Sequence, residues 1–109
     1  MTVIVTDGTD KEYIEYEPGC DLKNVFRGDE KATMSGGFER FSKGWIGPVD
    51  VKWHVGHYVL KGSFEFEDAG KTYLINPGDF VLIAKDSKVV FRTLEDVEAV
   101  FFCLPKYED

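Results

Sequence analysis

Between Trp53 and Thr93 short apolar runs are cut at regular intervals by glycine and proline, and this punctuation restricts the fold more than any other feature of the chain. Val49-Asp50-Val51-Lys52-Trp53 alternates apolar and polar residues with period two, the signature of a half-buried strand. His57 to Leu60 is a further strand, closed by Gly62, and Ser63-Phe64-Glu65-Phe66-Glu67 alternates again. Asp68-Ala69-Gly70 reads as a three-residue hairpin loop with Gly70 at positive φ, after which Lys71 to Ile75 returns. Asn76-Pro77-Gly78-Asp79 fits a type II turn, with Pro presetting φ at the second position and Gly accepting positive φ at the third. Phe80 to Ala84 is apolar on both faces, which predicts a strand enclosed inside a sandwich. Val89–Thr93 and Val97–Leu104 complete the series. Strands this short, separated by such turns, predict an all-β sandwich or barrel with little helix.

The N-terminal third is less regular. Asp21 to Phe26 is predicted as one helical turn with Asp21 as N-cap, and strands resume at Phe38 after Gly36-Gly37. No linker, repeat or low-complexity tract divides the 109 residues, so the expectation is one domain over 1–109: an N-terminal arm over 1–30 and a barrel over 31–105. The longest apolar run is Ala99 to Leu104, too short to span a membrane, and the N-terminus has no basic segment followed by a long apolar core. The expected location is therefore cytoplasmic. Cys20 and Cys103 form no CxxC motif and are expected to stay reduced there. A net charge of −7 argues against nucleic-acid and anionic-membrane partners, whose phosphates recruit Lys and Arg. Arg27-Gly28-Asp29 reads as a surface turn.

Ser35-Gly36-Gly37-Phe38, Tyr58-Val59-Leu60-Lys61-Gly62, Pro77-Gly78-Asp79, Ile83-Ala84-Lys85 and the ending Val100-Phe101-Phe102-Cys103-Leu104-Pro105 resemble a cupin. More narrowly, they resemble the cupin domain of ethanolamine-utilisation Q-type proteins. The resemblance covers about two-thirds of the chain and implies a double-stranded β-helix, the jelly-roll barrel. It leaves the reaction open, because one fold hosts many chemistries. The family holds its metal with G-x5-H-x-H-x3,4-E-x6-G and a later G-x5-P-x-G-x2-H. Counting from Gly62 puts the glutamate at Val55, and the histidine pair at Pro48 and Asp50 or at Val49 and Val51. Counting from Gly78 puts the third histidine at Val89. None keeps its usual residue, and Asp50 alone does not hold a transition metal. No metal and no other cofactor is expected in the family's position. A relocated site built from His57 with Asp50, Glu39 or Cys103 stays open.

His54 and His57 are the histidines of the chain. Alternation places His57 on the face of Val55 and Val59, the interior by resemblance, with His54 outward or in the bend. Imidazole titrates near neutral pH, so His57 is the candidate catalytic acid or base; the alternative is a buried histidine bonded to a neighbouring strand. Trp53, Phe38, Tyr58, Tyr73 and Phe91 would wall a ligand cavity or simply fill the core. Glu39 and Arg40 point to opposite faces, so one of them enters the barrel; Asp50 is a further candidate ligand contact, and Arg92 has a similar status. Trp45 lies in a loop that acts as a lid or as a dimer contact. Two functions remain: a cupin enzyme carrying out metal-independent acid/base chemistry (isomerase, lyase or cyclase) on a small polar metabolite, or a non-catalytic small-molecule-binding or assembly module. Either is expected as a homodimer, a family tendency to which the apolar Val3-Ile4-Val5 adds an unpaired strand.

Overall fold

The computed structural model describes residues 5–26 and 34–104, with the backbone alone over 48–50. Its elements are a single 3-10 turn, Gly8–Asp10, and ten strands: β1 (Ile14–Glu17), β2 (Cys20–Phe26), β3 (Ser35–Phe41), β4 (Ile46–Asp50), β5 (His54–Lys61), β6 (Phe64–Asp68), β7 (Lys71–Ile75), β8 (Phe80–Ile83), β9 (Lys88–Thr93) and β10 (Val97–Leu104). They form two antiparallel sheets, one of six strands in the order β1-β2-β3-β10-β5-β8 and one of four in the order β4-β9-β6-β7. The two faces that meet carry the core. Phe91 on β9 is its centre, with ring contacts to Phe66 at 5.1 Å, Phe64 at 5.5 Å and Phe41 at 6.3 Å. No helix among the described residues is long and apolar enough to cross a membrane.

Four local expectations need correction. The strand read over Val49–Trp53 is Ile46–Asp50, whose five residues pair with Arg92 to Lys88 of β9, while residues 51–53 lie in no strand. Asp21 to Phe26 is strand, not helical turn: β2 pairs with β3 along its length, with Cys20 opposite Phe41 and Leu22 opposite Glu39. Pairing with β3, and with β1 over Cys20 to Leu22, satisfies backbone groups that one isolated helical turn leaves open. The segment read as an arm thus supplies two strands of the larger sheet. The hairpin loop after β6 has two residues: Asp68 pairs with Lys71, and Ala69 and Gly70 both take positive φ, 50° and 82°. That conformation is the two-residue turn that matches the twist of its strands. Finally, β8 is not enclosed. It is the edge strand of the larger sheet, and Phe80 and Leu82 are each 81 % exposed on its outer side.

The turn after β7 follows its sequence. The Asp79 N–H donates to the Asn76 carbonyl at 3.0 Å, with Gly78 at φ 92°. The Asn76 N–H in turn donates to Asp79 Oδ2 at 2.8 Å. The Gly78 N–H also donates to the Val59 carbonyl, tying the turn to β5 and fixing where β8 begins.

Candidate functional site

Alternation along three neighbouring strands builds the site. On β3 the inward residues are Ser35, Gly37, Glu39 and Phe41; on β10 they are Val97, Ala99, Phe101 and Cys103; on β5 they are Val55, His57 and Val59. Between the sheets Glu39, Phe41, Phe101, Cys103, Val55 and His57 from these strands line a cavity of about 350 Å³. Glu39, His57, Cys20 and Cys103 provide its polar groups. Phe41, Trp45, Trp53, Phe91 and Phe101 provide its aromatic wall, and Leu22, Val51, Val55 and Ile83 provide the aliphatic remainder. Tyr16 and Glu17, both exposed on β1, mark the mouth.

The His57 Nδ1–H donates to Glu39 Oε1, and both side chains are 7 % exposed. A carboxylate on Nδ1 holds the proton there and leaves Nε2 as the basic nitrogen of the neutral ring. Phe91 meets the imidazole edge-on, centroids 5.7 Å apart and planes at 90°, which fixes its orientation. A carboxylate-oriented imidazole in a cavity walled by aromatic rings can take up and return a proton. The two thiols are a different matter. Burial, reinforced by the Glu39 carboxylate, pushes Cys20 up to about 12 and Cys103 to about 11, so both are neutral thiols and poor nucleophiles at physiological pH. Nor can they bridge: Cys20 pairs with Phe41 and Cys103 with Ser35, at opposite ends of β3.

Of the residues singled out from sequence, His57, Glu39, Trp53 and Phe91 converge on the cavity. His54 does not: it is exposed, and its Nδ1 accepts from the Lys85 N–H at 3.1 Å. Phe38 and Tyr58 are not cavity walls. They alternate with Glu39 and His57 and therefore lie on the outer face. There Lys23 Nζ sits 5.0 Å from the Phe38 ring, and Tyr58 packs on Phe80 at 4.5 Å. Tyr73 is likewise outside the cavity, 40 % exposed beside Phe66. Arg40 is the outward member of its pair, bonded to Asp21 at 2.8 Å and stacked over Tyr13 at 4.0 Å. Arg92 lies 3.7 Å from Glu67 in an exposed ion pair. Asp50 belongs to β4, opposite Lys88, and its side chain lies outside the described residues.

Trp45 is part of the cavity wall, stacked on Phe41 at 4.8 Å and 22°. Its ring covers Gly47 so closely that an added β-carbon would lie 2.4 Å from it. Tyr16, Glu17, Cys20 and Leu22 were invisible as site residues because β1 and β2 were not legible as strands. The signal available was Cys20 and Leu22 two apart, broken by the polar Asn24 at the next inward position.

The family's metal does not fit the donor set. Val51 and Val55 stand in the cavity wall at two ligand positions, and no three His, Cys, Asp or Glu side chains come together to hold an ion among the described residues.

Comparison with known proteins agrees with this architecture. The solved structure of KdgF from a Halomonas species superposes with a TM-score of 0.85 at 22 % identity, covering 99 % of this chain and 98 % of that one. The ethanolamine utilisation protein Q of Salmonella typhimurium LT2 superposes at 0.83, also at 22 % identity, covering 94 % of this chain and 86 % of that one. At such identities these structures establish the fold, a cupin. A curated relative from Escherichia coli K12 bearing the name acetate kinase EutQ is 26 % identical over 105 residues, 93 % of this chain. The chain spans 45 % of that relative's length. The family model described as ethanolamine utilisation protein EutQ matches residues 9–107, and the chain belongs to that family.

Proposed function

We propose that this protein is a small cupin enzyme that moves a proton on a small polar metabolite without a metal, His57 acting as acid and base and Glu39 orienting it. The observation that carries the reading is the buried His57–Glu39 hydrogen bond lining a cavity of about 350 Å³. A cavity of that size sits at the lower end of the range for small-molecule sites. Isomerisation, elimination and cyclisation all need one group that accepts a proton and returns it elsewhere, which a single oriented imidazole provides. Acetate kinase activity, named for the Escherichia coli relative, is not part of the reading: among the described residues no Lys or Arg lines the cavity to hold phosphates.

A homodimer belongs to the reading as well. Its support is the outer face of the larger sheet, where Tyr58, Leu60, Phe80, Leu82 and Phe102 form an apolar area that ends at the edge strand β8.

The test starts from a thermal-shift screen of metabolites, since a ligand that binds only the folded state raises its stability. Each hit is then followed for conversion by NMR with the native protein and with His57→Gln. Conversion by the native protein alone, with binding kept in the variant, is the expected result. Equal conversion by both would remove His57 from the chemistry. Binding without conversion by either would favour the non-catalytic binding module.

A further inference from the structure

The charge of the cavity narrows its ligand further. Glu39 lies within it and Glu17 stands at its mouth, yet among the described residues none that line it is Lys or Arg. Of the Lys and Arg side chains next to lining residues in sequence, Lys52 is exposed and not part of the lining, and Arg92 pairs with Glu67. Arg40 faces away onto Asp21 and Tyr13, and Lys23 lies over Tyr13 at 4.9 Å and Phe38 at 5.0 Å. A protonated His57 would neutralise Glu39 and leave Glu17; a neutral His57 would leave both carboxylates uncompensated. In either state the described lining is net negative, so an anionic ligand would meet repulsion on entry with no cation among the described residues to receive it.

The wall has a complementary property. Trp45, Trp53, Phe41 and Phe91 line the space between the sheets, Phe41 and Trp45 stacked on each other at 4.8 Å with Phe91 against both. Trp is the strongest cation-binding ring, and an aromatic wall with a carboxylate at its edge is the arrangement that recognises substituted ammonium groups. The chain's net charge of −7 adds long-range attraction for a cation.

We infer that the cavity selects a small organic cation, an amine in its ammonium form or a quaternary ammonium, held by the aromatic wall with Glu17 at the entrance and Glu39 within. This rests on the cavity being the ligand site, as proposed above, and adds the charge class of the ligand.

Choline, its neutral isostere 3,3-dimethylbutan-1-ol and the anion 3,3-dimethylbutanoate share a shape and differ in charge, so titrating each against the full chain isolates the charge. Binding is read by calorimetry and by shifts of the Trp53 indole and His57 ring resonances. Choline is expected to bind at least about tenfold more tightly than the alcohol, and the carboxylate not to bind. Glu17→Gln, an exposed position, should weaken choline about fivefold and leave the alcohol within about twofold. Trp53→Leu should weaken choline more than the alcohol. Equal affinity for choline and the alcohol, or preference for the carboxylate, with shifts at His57 and Trp53, would overturn the cation inference while leaving the cavity a ligand site. If no probe moves either resonance, at concentrations that bind elsewhere on the protein or not at all, the inference falls. Should a metabolite from the separate screen move those resonances, only the cation class has failed; should none do so, the cavity reading fails with it.

Discussion

Glu39 and His57 are hydrogen-bonded to each other although their strands are not neighbours: β10 runs between β3 and β5, and the bond passes over it. Ala99 pairs with Glu39 on one side and Val59 on the other, while Phe101 pairs with His57, so the bond runs diagonally across the strand beside Ala99. Two strand spacings are roughly 9.6 Å, a gap that only long side chains close, and only where the residue beneath is small. Ala99, 1 % exposed, meets that condition.

Ala99→Val should therefore separate the pair while leaving both residues in place. Overpacking there costs about 1–3 kcal/mol, measurable by urea unfolding. The downfield His57 Nδ1–H proton resonance should vanish. A variant that keeps this resonance and the native stability would show that the bond does not depend on space over β10.

Truncating one partner is more severe than replacing it by another donor. Glu39→Ala leaves a buried imidazole without its acceptor and should lose about 3 kcal/mol. His57→Gln still donates to the Glu39 carboxylate, so its melting temperature should stay within a few degrees of native. Calorimetric scans of both variants check the order; a His57→Gln protein as unstable as Glu39→Ala would contradict it.

The two cavity thiols set an alkaline limit on stability. Burial raises Cys20 from 9.0 to about 12 and Cys103 from 9.0 to about 11, while in the unfolded chain both ionise near 9.0. Well below pH 9 both states keep their protons and nothing changes. Above it the unfolded state loses protons that the folded state retains, and stability falls until the folded thiols also ionise. Tyr13, raised by burial, acts in the same direction. By pH 10 each thiol should remove about 1 kcal/mol relative to pH 7. Comparing native protein with Cys20→Ala/Cys103→Ala isolates this contribution: the native protein should lose more stability over that interval, and equal losses would refute it.

Gly62 and Gly70 take nearly the same backbone conformation, φ 79° and 82°, in different surroundings. A β-carbon on Gly70 would touch nothing within 4 Å, whereas on Gly62 it would lie 2.1 Å from the Asp96 carbonyl oxygen. Gly70→Ala should cost about 1 kcal/mol, the left-handed strain alone. Gly62→Ala adds a backbone collision worth about 1–3 kcal/mol more. Denaturant midpoints should rank the two accordingly; equal midpoints would show that the loop beyond Gly62 yields freely.

The exposed apolar face predicts the assembly. The protein should sediment as a dimer at micromolar concentration, and Leu82→Lys should yield a monomer with unchanged unfolding free energy per chain, because Leu82 is already 81 % exposed on the chain by itself. A native protein that sediments only at 12.4 kDa would count against the dimer.

Local chemistry fixed much of this structure in advance. Period-two alternation determined the strands from His57 onward, Asn76-Pro77-Gly78-Asp79 determined its own turn, and alternation through Val55, His57 and Val59 determined which histidine faces inward. Side-chain facing follows from the pleat and needs no partner. Tertiary structure decided what depends on neighbours. β2 became a strand because β3 was there to pair with it, against a sequence whose polar Asn24 interrupts the inward row. β8 is as apolar as an enclosed strand but forms an edge, since strand order is a property of the sheet and cannot be read within one strand. The Glu39–His57 bond depends on β3 and β5 flanking β10, on residues 18 apart in the chain meeting across a third strand, and on alanine lying beneath them. Each residue's facing was legible from its own strand; which residues met was decided by packing the strands together.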